Sequence, residues 1–101
     1  MMVTLYQRQE DGSTRYVTFT DRQGNLFGYH TLTVTEGRDF FLTRERHHTY
    51  EHESDVQSAL RGMINRRLKR GYEVLYSWFG ESQFPTVEQQ IQLVMQDRRP
   101  G

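Results

Sequence analysis

Residues 54–71 read Ser54-Asp55-Val56-Gln57-Ser58-Ala59-Leu60-Arg61-Gly62-Met63-Ile64-Asn65-Arg66-Arg67-Leu68-Lys69-Arg70-Gly71, and here the hydrophobic period becomes helical. Val56, Ala59, Leu60, Met63, Ile64 and Leu68 recur at three- and four-residue spacing, which gathers them on one face of a helix. Ser54 to Gln57 has the form of a capping box, and Gly71 is a glycine stop. Glu51, Glu53 and Asp55 stand at the start, and Arg66, Arg67, Lys69 and Arg70 at the end. That polarity suits the helix dipole, at about 0.3–1 kcal/mol for each favourable end charge. A long amphipathic helix of this kind needs an apolar surface to lie on.

The residues before it supply that surface. Val3 and Leu5, then Val17 and Phe19, then Leu32 and Val34 alternate with polar neighbours at period two, the pattern of half-buried strands. Glu10-Asp11-Gly12-Ser13 and Asp21-Arg22-Gln23-Gly24-Asn25 carry the residues that tolerate positive φ, so each is a hairpin connection. Glu36-Gly37-Arg38-Asp39 supplies a third tight turn or bulge before Phe40 to Tyr50 alternates again, which predicts four strands by residue 50. After Gly71, Tyr72 to Phe79 reads as a fifth strand with aromatic residues on both faces, expected inside the sheet or beneath a last helix. Pro85 and Thr86 open that short helix, with Thr86 to Gln89 as a second capping box and Val87, Ile91, Val94 and Met95 on one side.

At 101 residues the chain has room for one core, and residues 1–97 are expected to form a single domain with a frayed tail at 98–101. The predicted class is α+β: an antiparallel sheet of four to five strands, one long helix packed on a face, and a short C-terminal helix. Thirteen basic and thirteen acidic residues give zero formal net charge, so any attraction for a polyanion has to be local. The lack of cysteine excludes disulfides, thiol catalysis and thiolate metal sites. Gln7, Arg8, Gln9 and Glu10 interrupt the N-terminal region before an apolar run can build. Nothing else approaches the roughly 18 apolar residues of a membrane span, so a soluble, cytoplasmic protein without membrane association is expected.

Enzyme signatures are missing: there is no phosphate-cradling glycine loop, no Gly-x-Ser-x-Gly elbow, and no HExxH or DxDxDG pattern, so neither catalysis nor a cofactor is expected. His47, His48 and His52 are the candidate metal cluster. They straddle a strand-to-helix junction without a carboxylate at a characteristic spacing, and a solvated strand edge is the preferred reading. The basic residues carry more. Residues 61–70 hold five cations and no acid, and Arg44 and Arg46 project from the same side of the preceding strand. Such a surface can grip a polyanion, or it can be the ordinary polar exterior of a helix, with long side chains lying over apolar ground. Phe19, Phe40, Trp78 and Phe79 are expected in the core rather than as platforms for bases.

The order of parts, a strand meander with Thr33-Val34-Thr35-Glu36-Gly37-Arg38, a further basic strand, a helix introduced by Tyr50 to Asp55, and Arg67-Leu68-Lys69-Arg70-Gly71-Tyr72 past its end, resembles the WGR domain. The resemblance covers roughly residues 3 to 76. Its signature residues here are Glu36, Gly37, Arg38, Gly71 and Tyr72, with Glu36 standing where the family has tryptophan. WGR domains occur in poly(ADP-ribose) polymerases and in bacterial proteins, and the resemblance implies association with DNA or RNA. In the family the tryptophan packs on a sugar and the arginine approaches the backbone. Glu36 offers no stacking face and repels phosphate, so what the resemblance implies here is weak, backbone-directed binding through Arg38, Arg44, Arg46, Arg66, Lys69 and Arg70. The rival expectation is a protein-interaction domain that keeps the fold and uses a sheet edge or the C-terminal helix, without binding nucleic acid. On the bland reading, Gly37 provides the positive φ of a turn, and Arg38 pairs with Asp39 or Glu36.

Overall fold

The period-two segments form strands because alternate side chains enter one shared core. A computed structural model describes residues 1–22, 28–80 and 84–96, the side chain of Arg22 excepted. The tip of the second hairpin at 23–27 and the tail expected to fray at 98–101 lie outside the described residues. The strands are β1 (Met2–Arg8), β2 (Thr14–Arg22), β3 (His30–Arg38), β4 (Phe41–Tyr50) and β5 (Glu73–Trp78), and the helices are α1 (Glu53–Lys69) and α2 (Pro85–Gln96). All neighbours in the sheet are antiparallel, in the order β4-β3-β2-β1-β5. The fold is α+β, as the sequence predicts.

Consecutive hairpins lay β1 to β4 side by side, and α1 then carries the chain across from one edge of the sheet to the other. Val3, Leu5, Val17, Phe19, Leu32 and Val34 are buried on the face that α1 covers with Val56, Leu60 and Ile64. Each such side chain stabilises the fold by roughly 1.5–3 kcal/mol relative to exposure. The other face carries polar pairs, among them Thr4 and Thr18, whose hydroxyls are 2.9 Å apart, and Tyr6, which donates to Glu73 at 2.7 Å.

Several local expectations are corrected. Ser54 is not the N-cap of α1. His52 holds that position in extended backbone (φ −121°, ψ 140°), without a side-chain cap, and Ser54 is exposed in the first turn. Once Val56 and Leu60 fix the phase of the helix, it continues back to Glu53, where Glu53 and Asp55 face the positive end of the dipole. The capping box at Thr86 gives way in the same manner. The helix begins at Pro85, a residue suited to the first helical position, and the Thr86 amide donates to Gln57 Oε1 of α1 at 3.3 Å.

The fifth strand is an edge strand beside β1, with an irregularity opposite Thr4 and Leu5 that leaves Leu75 out of register. Phe40 is fully exposed at the β3–β4 turn and Trp78 is 55% exposed, so neither belongs to the core. An edge strand has no sheet neighbour to cover its rings. On α2, Val87 and Ile91 are buried and Met95 is half exposed; Phe84 takes the remaining core place, 2% exposed, just before the helix. Among the described residues no helix is long and apolar enough to cross a membrane.

Candidate functional site

The end of α1 is fixed by its backbone. Arg70 caps the helix and Gly71 adopts φ +93°. The Gly71 amide donates to Leu68 at 3.0 Å and the Tyr72 amide to Arg67 at 3.1 Å, the paired bonds of a Schellman motif. Gln7 Nε2 of β1 donates to the Arg70 carbonyl at 2.6 Å, so the basic end of the helix is tied to the sheet.

This fixed end faces β3 and β4. In the register of those strands Glu36 lies opposite Arg44 and Val34 opposite Arg46, so Arg44 and Arg46 share the side of β4 that faces α1, as the pleat predicts. A hollow of about 340 Å³ opens there, with Phe19, Val34 and Met63 as its apolar lining and Arg46, His48, Arg66, Arg67 and Arg70 around it. A second hollow of about 390 Å³ adjoins it, lined by Arg15, Arg38, Arg44, Tyr16 and Tyr72 among others. Glu36 and Arg67 border both hollows.

Glu36 is the only acid lining either hollow, and Arg67 Nη2 donates to its Oε1. Arg67 Nη1 donates to the Tyr72 hydroxyl at 3.2 Å, and Arg67 Cζ lies 5.3 Å from the Tyr72 ring centroid. Partial burial pulls the Arg67 pKa down, but the bonds and charge of Glu36 and Tyr72 outweigh this and leave it above the usual guanidinium value. By contrast, the guanidinium groups of Arg44, Arg46, Arg66 and Arg70 have no acidic partner among the described residues.

The remaining expected residues are distributed less simply. Arg38 borders the second hollow, but it is bound to Asp11 and donates to Ser13 Oγ at 3.1 Å, so its charge is compensated, and by neither Asp39 nor Glu36. Lys69 is exposed on α1 and lines neither hollow. Gly37 does not have positive φ; that role falls to Asp39, at φ 53°. Gly37 is instead a place of close approach, where an added Cβ would stand 3.0 Å from the Phe41 carbonyl oxygen. The pleat also separates two of the histidines. His47 pairs with Thr33 Oγ1 at 2.9 Å, whereas His48 lines the first hollow, and no group of three potential metal ligands occurs among the described residues.

Sequence reasoning missed Arg15 and Arg67 as parts of this surface. Both left a signal. Arg15 stands two residues before Val17, and so on the core side of β2, while Arg67 continues the Leu60 and Ile64 stripe of α1. No family model, no curated protein and no solved structure matches the chain.

Proposed function

We propose that the domain is a non-enzymatic nucleic-acid-binding module that holds the sugar-phosphate backbone in the groove between β4 and the C-terminal half of α1. The observation that carries this reading is the convergence of Arg46, Arg66 and Arg70, with Arg44 alongside, at two adjoining hollows whose single acid is already paired. Uncompensated guanidinium groups clustered against partly apolar ground are the footprint of a polyanion site in a chain with no net charge. The WGR resemblance points the same way. With Glu36 in the tryptophan position the mode is charge contact rather than stacking, so binding is weak and indifferent to base sequence. A cytoplasmic setting fits a chain without cysteine.

The test is a titration of labelled duplex and single-stranded oligonucleotides over a range of salt. About four released counterions predict a log-log slope near −3.6 on duplex DNA. Absence of binding to any of them at low salt overturns the proposal. A second reading, a protein-interaction domain, draws on the half-exposed Leu93 and Met95 of α2 and on the open edges of β4 and β5.

A further inference from the structure

Glu36 is a carboxylate in a groove otherwise lined with cations, and its two oxygens are used differently. Oε1 accepts from Arg67, while Oε2 has no partner among the described residues. The side chain is 26% exposed, so Oε2 can be reached from the groove. A bare carboxylate would repel phosphate. Once Arg67 compensates its charge, what Glu36 adds to the groove is a strong hydrogen-bond acceptor, held in place from behind.

Its position says what it can accept from. The hollows of about 340 and 390 Å³ flank it, each with unpaired arginines and each of a size for one nucleotide unit rather than a duplex. A strand that sets phosphates in the two hollows brings the intervening sugar to Glu36. Ribose presents a 2′-hydroxyl that can donate to Oε2, whereas deoxyribose has no donor there. The 2′-hydroxyl is the group that separates RNA from DNA, and acidic side chains read the same ribose hydroxyl in dinucleotide sites.

We infer that Glu36 reads ribose and that the ligand of this groove is a single RNA strand. The inference rests on the nucleic-acid reading above. It assigns to the residue that departs from the family signature a selective role in place of a merely repulsive one.

The experiment compares three labelled uridine oligonucleotides of one length, as RNA, as DNA and as 2′-O-methyl RNA, by fluorescence anisotropy at fixed low salt. The wild type is expected to bind RNA about tenfold more tightly than either of the others, because both lack the donor and leave the acceptor unmatched. Glu36→Ala should bring the three affinities together, and Glu36→Gln, whose amide oxygen still accepts, should keep part of the preference. The probes differ only at the 2′ position, so poor folding of a variant cannot imitate the wild-type pattern. Equal binding of all three by the wild type, or an RNA preference that survives in Glu36→Ala, overturns the inference and leaves backbone binding intact. Binding of none of them removes both.

Discussion

Arg67 and Tyr72 are joined three ways: the Tyr72 amide donates to the Arg67 carbonyl at 3.1 Å, Arg67 Nη1 donates to the Tyr72 hydroxyl at 3.2 Å, and the guanidinium lies 5.3 Å from the ring centroid. The backbone bond belongs to the helix terminus and the side-chain contacts to the groove, so the same turn that ends α1 also aims its arginine at Glu36. Holding a long side chain in one geometry costs about 1.5–2 kcal/mol of rotamer freedom, which the three contacts offset.

Gly71 is the hinge of this arrangement. Gly71→Ala should destabilise the domain by about 1–3 kcal/mol, since φ +93° is strained for any residue with a Cβ and that atom would meet Gln7 Nε2 at 3.2 Å. Ser54→Ala should shift the urea midpoint little, within about 0.5 kcal/mol, because Ser54 is exposed and caps nothing. A large loss in Ser54→Ala, with Gly71→Ala silent, would place both helix ends wrongly.

The groove arginines should differ in what they contribute. Replacing both Arg46 and Arg66 by alanine should flatten the salt slope on duplex DNA by up to about 1.8 units, near 0.9 for each released counterion. Arg38→Ala should change the slope less than either single replacement, since Arg38 is already committed to Asp11. Titrations of the three variants at several salt concentrations decide this.

The first hairpin makes stability depend on acid. Hydrogen bonds from Ser13 hold the Asp11 carboxyl below its ordinary value of 3.8, with Arg38 adding to the effect and burial opposing it. A depressed carboxylate stabilises the fold above its unfolded pKa, and that contribution is lost as pH falls through the lower folded value. The loss should therefore appear below about pH 4, and Asp11→Asn should blunt it. A carbon-detected NMR titration of Asp11, with urea melts at pH 5 and pH 3, measures both parts.

The C-terminal helix is part of the core. Phe84→Ala should cost about 3–5 kcal/mol, as expected for emptying a ring site that is 2% exposed. Hydrogen exchange should find the amides around Ile91 protected in the wild type. Rapid exchange across Pro85–Gln96 would instead mark the segment as an arm that orders on a partner.

The sequence by itself determined the order and type of the elements. Period-two alternation through Val17, Phe19, Leu32 and Val34 and helical spacing through Val56, Leu60 and Ile64 are local patterns, and each has one way to bury its apolar side chains. Gly71 was legible for the same reason, because a glycine after a basic helical turn is a local stop signal. Tertiary structure alone decided where the first turns of the helices begin, since packing phase overrode the capping patterns at Ser54 and Thr86. It also decided which strand became an edge, and so left Trp78 half exposed and Phe40 in solvent. The groove depended on it most. Glu36 and Arg67 are 31 residues apart, and their meeting follows from the crossing of α1 over the sheet, a relation that no local period encodes.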